Sequence, residues 1–480
     1  MKALPQKEGI QTKTMKAIPF TDSEKGEKRM RKKRFLSTLS MLILSAVLLS
    51  SCGTKPAATT ANADTSNPGS AETTQGEKVT LKVLVHQNPP MVDFMNKFNE
   101  EFTARHPNIK IDMAVVNAND LSTVTQTRLT ANDVDVIDIF GFSNAAQPYM
   151  KNVTPPNWQT LIDAGYLMDI TNESFVKNYD ESAILDAGTY NDKVYSINLG
   201  RVSYSGIYVN KDLFAANNVK IPTTWSELVA ASDAFKAADI PFMTAGGKDG
   251  WPIFVGAYGL LGAAYPDQAA LVEGLWTGTI KWNDAASLAM WDKMLIYSSS
   301  MMEAGASGIA GDAAPGRFAS GAVAMFPGGT WYASAIEEAQ PAFDWGYIPF
   351  PGSDKAEDNQ YLFGKYDQGW AIAANTPNKD ASILYLSEFS DPANYAAFAN
   401  QVGFIPTQPN VTLDTKIGAE VAPYLKNFRV GYEQYWVAPK GAGQYANPYA
   451  SYFAPFGTYT DSKTLADKVQ ADLQSGLDAN

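Results

Sequence analysis

From residue 79 onward the chain alternates short β-branched runs with stretches of helical periodicity, and no other feature constrains its fold as much. "VTLKVLV" is bounded by polar residues and reads as a buried strand. After "HQNPP", the residues Met91, Phe94, Met95, Phe98 and Phe102 fall on one helical face. "RHPNIKIDMAVV" turns into a second strand, and "VDVIDIFGF" is a third. Strands separated by helices in this way build parallel βαβ units, so the sequence predicts an α/β fold. In open sheets of that kind ligands sit beyond the carboxyl ends of the strands. The loops "HQNPP" and "FGFSN" are therefore the ones to watch. The pattern continues downstream. Thr224 and Glu227 make a capping box just after Pro222, with Trp225, Leu228, Val229 and Phe235 as the apolar stripe. "TDSKTLADKVQADLQSGL" predicts a capped terminal helix with Leu465, Val469 and Leu473 in register. No internal repeat of solenoid period is present.

The residues before 79 follow different rules. "MRKKRF" is a charged region, "LSTLSMLILSAVLLS" an apolar one, and "SCG" a small-residue processing site, which together read as an export signal. The apolar stretch Phe35–Ser50 has 16 residues, short of the roughly twenty that a spanning helix needs. The signal, residues 1–51, fits best if translation starts at Met30. Residues 52–78 open with Cys52, the one cysteine in the chain, and continue in Ala, Thr, Ser, Gly and Pro as a flexible tether. Its 26 residues after the cysteine give a reach of roughly 30 Å. Charge is divided in the same place. The first 51 residues hold 11 of the 38 basic and 4 of the 50 acidic residues, which leaves 27 against 46 and about −19 for the remainder. Such a surface repels nucleic acid, so no nucleic-acid partner is expected.

"LSSC", residues 49–52, resembles the bacterial lipobox, and that resemblance implies a diacylated Cys52. A second resemblance covers residues 79–480. "NDKVYSINLGRVSYSGIYVNKDLF", "IPTTWSELVAAS", "FMTAGGKDGW", "FASGAVAMFPGGTW", "YIPFPG" and "GWAIAANTPNKDASILYLSEF" follow one another in family order. Together they resemble the extracellular solute-binding proteins of ATP-driven sugar importers, the maltose-binding-protein-like family, in lipoprotein form. The resemblance implies a two-lobed periplasmic-binding-protein-like fold with a hinge and an interlobe ligand cleft. Lobe one would take residues 79–200 and 364–412, and lobe two residues 201–363 and 413–480. The chain would cross near "LGRVSYS", "LFGKYDQ" and "PTQPNV". One departure is the extra stretch from Pro148 to about Leu161, which could form a flap over the cleft or a solvated loop.

Patterns of catalysis are absent. The chain has two histidines, no HExxH, no GxSxG and no phosphate loop, so neither an enzyme, a metal site nor a cofactor is expected. Asp133, Asp135 and Asp138 crowd "NDVDVID", but the family places acidic residues there for structural reasons, and no EF-hand spacing supports calcium. Aromatic residues are the informative excess. Ten lie between Phe428 and Tyr459, where the chain-wide 12 % gives about four, and they are interleaved with glycine and proline. Some fill a core. Others, with Trp436 among the candidates, would offer flat apolar faces to sugar rings.

Family positions add Trp331, Tyr452 and Phe453 as stacking candidates, and Trp251, which follows a glycine-rich turn, is a further one, whereas Trp370 reads as core. Polar candidates are Gln87 and Asn88 after the first strand, Ser143 and Asn144 after the third, and Arg201, Tyr204 and Asp367 at the implied crossings. The expectation is a monomeric receptor, lipid-anchored through Cys52 on the outer face of the bacterial cytoplasmic membrane. It would deliver an oligosaccharide to the membrane permease of an importer. A surface-anchored glycoside hydrolase and a sugar receptor for chemosensing are the alternatives.

Overall fold

In a computed structural model, the described residues are 77–479. The expected signal, Cys52 and nearly all of the tether lie outside them.

The first strand, Val79–His86, pairs in parallel with both Ile109–Val116 and Val136–Phe140. Two further strands, Gln368–Ile372 and Ile197–Asn198, extend this sheet antiparallel. Leu81, Val83, Leu84 and Val85 are fully buried. A central strand covered on both faces reads as a continuous apolar run rather than an alternating one. Parallel pairing requires crossovers, and helices Pro89–Arg105 and Leu121–Thr130 supply them. Met91, Phe94, Met95, Phe98 and Phe102 all face the core, as their spacing predicts. The acidic residues of "NDVDVID" tie strand ends together. Asp135 accepts the Lys82 amide at 2.7 Å, and Asp138 accepts the His86 amide at 3.1 Å and meets its ring Nδ1 at 2.8 Å.

A second sheet is antiparallel, with Gly206–Asn210 between Trp345–Pro349 and Met325–Pro327. Helix Trp251–Ala264 packs against it and is buried from Pro252 to Gly262. Its glycines recur every third residue for a steric reason. A Cβ at Gly256 would stand 2.5 Å from the Tyr297 hydroxyl, and one at Gly259 would stand 2.4 Å from Phe350 Cβ. The helix can sit this close only without side chains there. The predicted capping box is present in altered form. Thr224 Oγ1 accepts from the Glu227 amide at 3.3 Å, while Glu227 returns to the Thr223 amide rather than the cap residue's own. The terminal helix Ser462–Asp478 is capped by Asp461, and Leu465, Val469 and Leu473 are fully buried.

Separate apolar cores form around the two sheets, giving a two-lobed α/β fold. A small third sheet joins them: Phe363–Tyr366 runs antiparallel to Arg201–Ser203 and parallel to Arg429–Val430. The first two of these strands fall on "LGRVSYS" and "LFGKYDQ"; the third lies beyond "PTQPNV". The extra stretch 148–161 is exposed and irregular over much of its first half, with Met150 buried in the core around the second sheet. It ends in a helix, Asn157–Asp163, whose Trp158 and Leu161 are buried.

Candidate functional site

A cavity of about 300 Å³ opens between the lobes. The five-stranded lobe contributes Thr125 from a helix, Phe140, Gly141 and Ser143 from the end of the third strand, and Asn157 and Trp158 from the extra stretch. Lys365 enters from the joining sheet, and Tyr432, Glu433, Gln434, Trp436, Asn447 and Tyr449 complete the wall from the other side. The strand-end position is where an open α/β sheet presents its crevice, because backbone N–H groups and loop side chains converge there.

Lys365 is the electrostatic centre. Its Nζ lies 3.4 Å from both Asp367 Oδ1 and Glu433 Oε2, and the side chain is one-fifth exposed. It also stands 5.0 Å from the ring centre of Tyr204 and 5.8 Å from that of Phe140. Burial works against its charge. The Tyr204 hydroxyl and the Glu433 and Asp367 carboxylates outweigh burial and hold the ammonium well above the ordinary lysine value. Burial likewise pushes the Tyr204 hydroxyl up. Glu433 is oriented by its own amide, which donates to the Tyr258 hydroxyl at 2.8 Å.

Around this centre the wall is aromatic. Trp436 stacks on Tyr432 with ring centres 5.2 Å apart, and Trp158 stacks on Phe142 at 4.5 Å. Trp158 Nε1 donates to Ser143 Oγ at 3.3 Å, which fixes the indole against the cavity. Thr125 Oγ1 is buried with no hydrogen-bond partner among the described residues, an unsatisfied hydroxyl at the edge of the cavity.

The sequence candidates divide. Ser143 and Trp436 line the cavity. Asn144 is next to it, its amide donating to Gln434 O at 2.6 Å. Asp367 reaches it through Lys365. Tyr204, Trp331 and Trp251 form a second aromatic group beside Lys365, with ring centres 5.3 Å and 6.2 Å apart in sequence. Five others lie outside the lining. Asn88 caps helix Pro89–Arg105, accepting from the Met91 amide at 3.3 Å, and exposed Gln87 gives its amide to Val116 O. Arg201 lies over the Phe428 ring at 5.3 Å. Tyr452 donates to Gln444 O at 3.0 Å and packs on Tyr445 at 4.7 Å. Phe453 is fully buried against Trp291 at 6.2 Å and is core, not platform. Trp370 is also fully buried, as expected.

Sequence reasoning missed Lys365, Glu433, Thr125 and Trp158. Lys365 alone had an available signal: it precedes Asp367 by two residues, the spacing that puts side chains on one face of an extended chain.

Two lobes, a three-stranded connection and a polar, aromatic-walled cleft between them define a binding protein of the two-lobed α/β class. The chain belongs to the bacterial extracellular solute-binding protein family, whose model matches residues 95–423. It is 27 % identical over 352 residues to a multiple sugar-binding protein of Streptococcus mutans, covering 71 % of this chain and 74 % of that one. Its fold is similar to the solute-binding protein RafE in complex with raffinose, with a TM-score of 0.68, 21 % identity and coverage of 83 % and 99 %. It is also similar to a chitin oligosaccharide binding protein, with a TM-score of 0.67, 20 % identity and coverage of 84 % and 100 %. Among the described residues no helix is long and apolar enough to cross a membrane, and no cluster of acidic, histidine or cysteine side chains could hold a metal ion.

Proposed function

We propose that this protein is the receptor of an ATP-driven importer, anchored to the outer face of the membrane through a lipid on Cys52, and that it captures a saccharide of low net charge. The observation that carries the reading is the interlobe cavity, which sets flat rings beside hydroxyl and charged hydrogen-bonding groups drawn from both lobes. A sugar needs both: an apolar partner for its C–H face and donors or acceptors for its hydroxyls. The relatives named as sugar-binding and sugar-complexed proteins support the same choice. The contacts would be Ser143, Trp436, Lys365, Glu433, Thr125 and Trp158, with Tyr204, Trp331 and Trp251 alongside.

Lobe one would comprise residues 79–200 and 364–412, and lobe two residues 201–363 and 413–480. The cores support the limit near 412, since Val402 and Phe404 pack with the five-stranded sheet and Ile417 and Val421 pack with Tyr208 and Tyr347. A ligand touching both lobes favours the closed arrangement, and a permease would read that arrangement.

The test is a thermal-shift screen of residues 79–480 against mono- and oligosaccharides. A sugar that raises the melting point and is recovered intact supports capture. No stabilising sugar refutes the reading, and cleavage of the sugar replaces it with hydrolysis.

A further inference from the structure

The cleft is closed across one side by the chain itself. Within the stretch Pro148–Leu161, the Thr154 amide donates to Ala438 O at 2.9 Å and Asn152 O accepts from the Lys440 amide at 2.8 Å. Val153 and Pro439 face each other in this antiparallel bridge. A second layer lies nearer the cavity, where the Asn144 amide reaches Gln434 O at 2.6 Å and Gln434 Nε2 reaches Phe142 O at 2.6 Å. Asn157 and Trp158 then present the same stretch to the cavity. Met150 of this stretch is buried in the core around the second sheet and Trp158 in a core of the first, so the chain itself spans the lobes here and a saccharide could run through this side only by displacing it.

At Lys365 the surroundings differ. The rings of Tyr204, Trp331 and Trp251 follow one another outward, and the last is 39 % exposed. The half-open cavity of about 300 Å³ is at the bottom of the range for small-molecule pockets, roughly 300–1,000 Å³. We propose that the stretch Pro148–Leu161 makes the cleft blind, so that a saccharide is held by its terminal unit beside Trp158 while the rest of the chain leaves past Lys365 over Tyr204, Trp331 and Trp251. The proposal rests on the saccharide reading above. It makes the stretch a specificity element that selects chain ends and excludes chain interiors.

Two measurements on the full-length protein in detergent test it. Hydrogen exchange without sugar reads the wall directly: the Thr154 and Lys440 amides should be protected, and exchange at the rate of free loop amides overturns the proposal. Calorimetry with raffinose, stachyose and verbascose, which differ by successive galactosyl units, reads the exit. Trp251→Ala should weaken verbascose about ten-fold and raffinose less than about two-fold, the loss of one stacking ring at the outer end only. An equal loss across the series, or none, overturns it. If none of the three sugars binds, the exchange result decides the wall alone, while failure of every sugar in the thermal screen refutes the receptor reading instead.

Discussion

Replacing Lys365 by methionine isolates the charge at the centre of the cleft. The side chain keeps its length and apolar stem, but two carboxylates then share a site without a cation. Each lies 3.4 Å from Nζ in the native protein. At an effective dielectric of about 20 each pair is worth about 5 kcal/mol in gross Coulomb energy, most of which offsets the cost of taking the charges out of water. Breaking a buried pair costs about 3–5 kcal/mol. Asp367 and Glu433 retain 14 % and 28 % exposure, so a loss of about 2–4 kcal/mol is expected at neutral pH. The sign with pH follows from the raised lysine. A group whose folded value exceeds its unfolded one contributes fully below the unfolded value, about 10.4, and loses that contribution only as pH rises through the folded value. The native contribution is therefore complete at pH 7. The deficit of Lys365→Met is expected in full at neutral pH. Urea titrations of both proteins at pH 7, followed by tryptophan fluorescence, measure this. Adding Asp367→Asn and Glu433→Gln should recover most of the stability. A loss below about 1 kcal/mol, or a loss that no neutralisation recovers, would refute the argument and make Lys365 an ordinary surface cation.

Four further outcomes are expected. Cys52→Ala should release the protein from the membrane fraction, and persistence there after a carbonate wash would remove the lipid anchor. Small-angle scattering should give a smaller radius of gyration with a saturating stabilising sugar than without it, and an unchanged radius would count against hinge closure. Trp331→Ala should weaken sugar binding by roughly ten- to hundred-fold, whereas a collapsed melting point with normal affinity would make Trp331 packing alone. The Thr223 amide and hydroxyl, with Lys220, hold the Glu227 carboxyl down at about 2. A depressed carboxylate contributes stability above its unfolded value and loses it as pH falls through the folded one, so the deficit of Glu227→Gln should vanish between pH 4.5 and about 2; a deficit that persists at pH 2 would assign it to lost packing.

What the sequence could disclose follows from how locally each feature is specified. The central strand was legible because burial on both faces leaves "VTLKVLV" almost no polar positions, and helix Pro89–Arg105 because its five apolar residues repeat at the helical period. The candidate site obeys no period. Lys365 and Glu433 meet only because strands Phe363–Tyr366 and Arg429–Val430 pair, and that pairing joins segments separated by a strand and three helices. The aromatic run 428–459 shows the same difficulty within one stretch. On a regular element, spacing would say which rings share a face, but here short helical turns at Tyr432–Tyr435 and Ala450–Tyr452 are separated by irregular backbone. Tyr449 therefore reaches the cavity while Phe453, four residues on, is sealed in the core. The extra stretch 148–161 posed a different problem. Its composition suits a loop, and its role comes from a partner, Ala438–Lys440, that lies far away in the chain. Backbone groups paired that way depend on where the two segments meet and not on which side chains they carry.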